Sequence, residues 1–85
     1  MEVIRTDDFE SMLLRLPVTT RKTVERQLLR FIENRRHPSL QTKKLLDMDG
    51  VNSIRVGRSH RALFFFIDNT CAVFFAIGHR KDIYK

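Results

Sequence analysis

The spacing of apolar positions changes near residue 50, from a period that suits helices to one that suits strands. Val3 and Ile4 make a short first strand. Thr6-Asp7-Asp8 then offers helix N-cap chemistry, and Asp7 with Glu10 has capping-box spacing. Phe9, Met12, Leu13 and Leu16 fall on one helical face, and Pro17 stops that helix. Thr19 or Thr20 caps a second, longer helix whose apolar stripe is Val24, Leu28, Phe31 and Ile32. Its other face carries Arg21, Lys22, Arg26, Arg30, Arg35 and Arg36. Pro38 ends it by steering His37 out of the helical region, so His37 stands at a helix C-terminus, where a cationic imidazole suits the dipole.

The segment from Pro38 to Gly50 is less regular, and Asp49-Gly50 reads as a turn. Three strands follow, at about 51–56, 61–67 and 70–77. Gly57-Arg58-Ser59 separates the first two, and Asp68-Asn69 suits a two-residue hairpin turn. The order strand, helix, helix, strand, strand, strand predicts an α+β domain: an N-terminal strand and a helical hairpin packed on a small, mainly antiparallel sheet. The last two strands are apolar on both faces: Leu63, Phe65 and Ile67 alternate with Phe64 and Phe66, and Val73, Phe75 and Ile77 with Ala72, Phe74 and Ala76. Two helices cover one face only. Loops, the C-terminal tail or another chain must cover the other, and part of it is expected to bind a partner.

Length and charge narrow the picture. The 85 residues are one domain, 1–85, of a size that buries only about 60% or a little more of its unfolded surface. Lys and Arg number 16 against 10 Asp and Glu, a net charge of +6, which favours a polyanionic partner. The single cysteine, Cys71, excludes a disulfide within the chain and reads as a buried, reduced thiol. His37, His60 and His79 lack metal-site spacing, so no metal and no cofactor is expected. Nothing at the N-terminus resembles a signal peptide, and no apolar run could span a bilayer. The expected location is the cytoplasm, with no membrane partner.

Several pieces then form an ordered set: His37-Pro38-Ser39-Leu40, Lys43-Lys44-Leu45, the 51–56 strand Val-Asn-Ser-Ile-Arg-Val, the 58–64 stretch Arg-Ser-His-Arg-Ala-Leu-Phe, and Ile77-Gly78-His79-Arg80 running on to Tyr84. In that order and spacing they resemble the RelE/ParE toxin superfamily, most closely RelE-like members that end in a glycine–histidine–arginine stretch followed by tyrosine. The resemblance covers nearly the whole chain. It implies a toxin of a toxin–antitoxin pair, with an antitoxin protein as partner. It also implies a metal-independent endoribonuclease that cleaves messenger RNA, often in the ribosomal A site, by attack of a ribose 2′-hydroxyl on the adjacent phosphate. The products would carry a 2′,3′-cyclic or 3′-phosphate and a 5′-hydroxyl.

That reaction needs an in-line 2′-oxygen, a proton acceptor, charge stabilisation at phosphorus and a proton for the leaving oxygen. Arg61, at the start of a strand, presents a planar fork suited to phosphate and matches the family's strand arginine. Arg80 matches the arginine after the last strand, here in charge stabilisation, because arginine stays protonated. His79 titrates near neutrality and is the candidate acid or base. Tyr84 matches the family's C-terminal tyrosine, which stacks on a base or orients the 2′-hydroxyl. Arg55 is the nearest match to the lysines that relatives carry on the preceding strand. A second basic position falls near Ser53 and is absent. Lys43, Lys44, Arg58 and Lys81 are candidates for the RNA backbone, while His60 should point opposite Arg61 and be structural or exposed. The arginines of the second helix face ribosomal RNA, acidic antitoxin groups or solvent.

Three other functions stay open on the sequence: a ParE-like gyrase inhibitor without nuclease activity, an inactive homologue that keeps only antitoxin binding, and a plain RNA-binding domain.

Overall fold

The helical half forms for the reasons its sequence supplies. In the computed structural model, which describes residues 1–83, β1 (Glu2–Arg5) leads into α1 (Asp7–Leu14) and α2 (Val18–Glu33). Thr6 caps α1, its Oγ1 accepting the Phe9 N–H at 3.1 Å. The box expected of Asp7 and Glu10 does not form, because the Glu10 carboxylate turns to the Arg5 guanidinium, which also grips Glu25 of α2. α2 starts at least two residues earlier than a threonine cap would allow, at Val18 behind Pro17, with no side-chain cap.

α2 also ends earlier than Pro38, at Asn34 in an extended conformation. Pro38 instead opens a 3-10 turn, Pro38–Leu40. His37 is therefore the N-cap of that turn, not the C-terminus of a helix, and its Nδ1 accepts the Ser39 N–H at 3.1 Å. An accepting Nδ1 carries no proton, so the expected cationic contact with a helix dipole is replaced by a neutral cap.

Among the described residues the sheet has five strands in the order β1-β5-β4-β3-β2, adding β2 (Lys43–Lys44), β3 (Asn52–Val56), β4 (His60–Asp68) and β5 (Cys71–His79). β1 runs parallel to β5, and the other pairings are antiparallel. This is the predicted α+β architecture, with a short edge strand, β2, that the sequence reading left irregular. The hairpin loop between β4 and β5 is Asn69-Thr70, one residue later than expected. Asp68 Oδ1 accepts the Thr70 N–H and hydroxyl and so acts as the residue before the loop. The β3–β4 turn needs a positive φ at Gly57 (61°), as glycine there allows.

Phe9 and Leu13 of α1 and Val24, Leu28 and Phe31 of α2 pack on Ile54, Val56, Ala62, Phe64, Ala72, Phe74 and Ile77. Phe31 is the hub: its ring lies 5.0 Å from Phe64 and 5.2 Å from Phe74, edge to face in both cases. Ile32, placed in the apolar stripe by spacing, is 41% exposed. Gln27 takes a buried position in its stead. Its Nε2 donates to the carbonyl oxygens of Ser39 (3.1 Å) and Arg55 (2.8 Å), which joins α2 to the 3-10 turn and to β3. Gln27→Leu removes both bonds from these part-buried carbonyls, so it should cost about 1–3 kcal/mol in a urea unfolding measurement.

On the sheet face away from the helices, Leu63, Cys71, Val73 and Ala76 are buried. The chain covers part of this face itself. After β5 it turns back, with the N–H groups of Asp82 and Ile83 donating to the His79 carbonyl, and Ile83 comes over Gly78. The tip of the β4–β5 hairpin stays open, with Phe65, Phe66 and Ile67 at 37–59% exposure.

Candidate nucleic-acid interface

Cross-strand register puts Arg55, Arg61 and Gly78 in one row across β3, β4 and β5. Neighbours in such a row share a sheet face. Gly78 adds no side chain, so the row is open at that end. The chain then brings Arg80 alongside: its N–H donates to the Ser59 carbonyl at 2.7 Å, which anchors it beside the β3–β4 turn. The result is a cleft of about 360 Å³ lined by Gln41, Lys43, Arg55, Arg58, His60, Arg61 and Arg80. Five of these seven side chains are lysine or arginine, and none is acidic. Unscreened like charges at close range repel, and an anion relieves that repulsion.

The arginines are held in different ways. Arg55 Nε donates to the Gly57 carbonyl at 2.7 Å, which folds its guanidinium over the turn. Arg61 is buried, at 8% exposure. Its Nε donates to Ser53 Oγ at 2.8 Å, and its Nη2 donates to the carbonyls of Gln41 at 2.6 Å and Ser53 at 3.3 Å. Gln41 meets it in a left-handed conformation, φ 42° and ψ 54°, uncommon for a residue with a side chain. Arg61 is thus a keystone between β2, β3 and β4 as well as a wall of the cleft. Arg80 is exposed.

His79 does not line this cleft. It pairs with His60 in the ladder, and the two rings meet at 5.5 Å, edge to face. Val56 and His60 are also partners, so the two imidazoles follow the helix-side row, while Arg61 and Gly78 follow the other. The His79 Nδ1 accepts the Lys81 N–H at 3.1 Å, which leaves the ring proton on Nε2. His60, set aside on the sequence, sits at the rim. It lines the cationic cleft and also a second cleft with Thr19, Thr20 and Thr23 at the start of α2.

Burial, and then the nearby His79, hold the His60 imidazole below its ordinary value. The folded chain therefore binds fewer protons at this ring than the unfolded chain does. Stability from this source is complete above the unfolded value, about 6.5, and is lost as pH falls through the lower folded value. The urea midpoint should fall between pH 7.5 and 5.5, and His60→Gln should flatten that slope.

Of the other candidates, Lys43 and Arg58 reach the cleft. Lys44 alternates away from Lys43 and lines a separate hollow beside Phe66. Lys81 is exposed in the terminal turn. Tyr84 lies outside the described residues. Gln41, Ser53 and His60 are the residues of this site that the sequence reading missed. Only His60 carried a signal, as an ionisable group next to Arg61.

No family model matches the chain, and no curated protein matches it. Solved structures do. A chain of the RelB-RelE antitoxin-toxin complex from Methanococcus jannaschii is similar over 95% of this chain and 94% of that one, with a TM-score of 0.76 and 22% identity. This is the RelE fold. The isolated E. coli RelE toxin agrees, at a TM-score of 0.71 and 18% identity over 98% of this chain and 89% of that one. So does YafQ from E. coli strain BL21(DE3), at 0.77 and 10% identity over 99% and 98%. Within the RelE fold of this chain, the cationic cleft stands where β3, β4 and the end of β5 meet. No helix among the described residues is long and apolar enough to cross a membrane, and no cluster there has the composition of a metal site.

Proposed function

We propose that this chain is the toxin of a toxin–antitoxin pair and a metal-independent endoribonuclease acting on messenger RNA in the ribosomal A site. The observation that carries the reading is the convergence of Lys43, Arg55, Arg58, Arg61 and Arg80 on one cleft whose described lining residues include no acid. A scissile phosphate held there gains charge as the 2′-oxygen attacks. Guanidinium groups fixed in advance stabilise that gain without reorganising. Arg61 is the most rigidly held, and Arg80 is exposed at the end of β5, so Arg80 is the group that closes on substrate. Arg55 flanks the phosphate, and Tyr84 remains a candidate for base stacking. Proton transfer falls to the His60–His79 pair. His60 is the member on the cleft wall, and its depressed affinity for protons keeps it a neutral acceptor at pH 7.

An antitoxin partner is supported by a second surface. A groove of about 380 Å³ is lined by Phe31, Phe64, Phe66 and Pro38, with Arg35 and Arg36 at its edge. The Arg35 guanidinium lies 5.2 Å from the Phe66 ring centre. Apolar anchors with a cationic rim suit a peptide carrying both apolar and acidic side chains. The solved M. jannaschii relative is a RelB-RelE complex.

Primer extension on messenger RNA after induction, with and without translating ribosomes, tests the nuclease. Discrete new 5′ ends within coding sequence are expected only when ribosomes are translating. Growth arrest without new ends, together with gyrase–DNA cleavage complexes, would replace this reading with gyrase inhibition.

A further inference from the structure

A second groove adjoins the cleft. It measures about 310 Å³ and is lined by Thr23, Arg26, Gln27, Arg30, Ser39, Gln41, Arg55, Gly57 and Arg58. Gln41, Arg55 and Arg58 line both, so the two form one continuous cationic channel from the end of β5 to α2. None of the ten acidic residues borders either part. Glu25, the acid nearest in sequence to Arg26, is occupied by Arg5 on another side of α2.

The groove is built, not merely charged. Gln27 is 5% exposed and fixes its amide nitrogen on the Ser39 and Arg55 carbonyls. Its Oε1 then accepts Arg30 Nη1 at 3.1 Å, and Ser39 Oγ accepts the same nitrogen at 3.2 Å. One buried side chain therefore sets Arg30 on α2 in register with Arg55 on β3. A guanidinium fixed in this way loses little further freedom on meeting a phosphate.

We propose that Arg26, Arg30 and Arg58 form a second phosphate subsite, which holds the single-stranded RNA beside the nucleotide pair gripped by the cleft. The proposal rests on the reading of the cleft as an RNA site and adds the path of the strand to it. RNA fits this groove better than a protein does, because no large apolar side chain lines it. A protein partner needs such an anchor, and the Phe66 groove has one. A phosphodiester strand needs only regularly placed donors and positive charge.

The test is binding of non-cleavable, fully 2′-deoxy oligonucleotides, with cleavage of an all-ribose message on translating ribosomes run in parallel. An eight-nucleotide strand is followed by fluorescence anisotropy at several salt concentrations, and a dinucleoside monophosphate by NMR titration. The double variant R26A/R30A should bind the octamer at least ~10-fold more weakly near 0.1 M salt. Its salt slope should be shallower by about 1.4, two phosphate contacts at single-strand values. The dinucleotide should bind it as it binds the parent. Arg26 is exposed on a helix surface, so R26E gives the same test where folding is not in question. Equal octamer binding by parent and variants would overturn the proposal. So would an equal loss for both ligands, or competition by an acidic octapeptide as strong as that by the strand itself. If the octamer effect appears but no message is cut on translating ribosomes, the subsite stands and the nuclease reading fails. If the message is cut but R26A/R30A leaves octamer binding unchanged, the reverse holds.

Discussion

Arg80→Ala will lower RNA cleavage by ~10²-fold or more, the scale of a lost transition-state donor, and leave the unfolding midpoint where it was. Arg80 is exposed, and the contact that places it is made by its backbone N–H to the Ser59 carbonyl, which alanine keeps. The loss should therefore appear in kcat, with the fold intact. Arg61→Ala should match it in cleavage but not in stability. Arg61 is buried, and its side chain links Ser53 on β3 to the strained carbonyl of Gln41 before β2. Its removal takes three hydrogen bonds from the junction of β3 with the segment before β2, two of them in buried surroundings, at about 1–3 kcal/mol. Stopped-flow cleavage and urea unfolding on the same preparations separate the two effects.

Phe31→Ala will produce the largest loss of stability, about 3–5 kcal/mol. The ring is fully buried and touches Phe64, Phe66 and Phe74, so it joins α2 to both long strands. A cavity there cannot close by a single side-chain shift, because three rings of the sheet face it. In a chain of 85 residues that is a large share of the total. Calorimetry should show a much lower melting temperature or no cooperative transition. A Phe31→Leu variant should recover most of the difference.

The elements most legible in the sequence were those whose apolar period is long. The α1–α2 pair and the β3–β4–β5 meander follow from Phe9/Leu13, Val24/Leu28/Phe31 and the alternation through 52–77. β2 was not legible, since two exposed lysines carry no period and exist as a strand only by pairing with β3. The histidine assignment depended on where β5 ends. Ending it at Ile77 makes His79 part of a tail that could swing to Arg80. The observed strand runs to His79, and the two extra residues place that ring opposite His60. Likewise, the second basic position expected near Ser53 is absent, and the space there is filled by Arg61 from the next strand. Both differences are matters of register between strands, which a single sequence constrains only weakly. The convergence of arginines was better determined, because Arg55 and Arg61 flank a short turn centred on Arg58 and must therefore face each other.

The central claim is that this basic pocket seizes one phosphodiester and turns the neighbouring ribose hydroxyl upon it. The most direct measurement is cleavage of an A-site message on purified ribosomes in EDTA, with the nucleotide 5′ to the cut supplied as ribose or as 2′-deoxyribose. The account predicts 2′,3′-cyclic phosphate and 5′-hydroxyl ends from the ribose message and none from its deoxy counterpart. Equal cutting of both messages, or none of either by the purified chain, would contradict it.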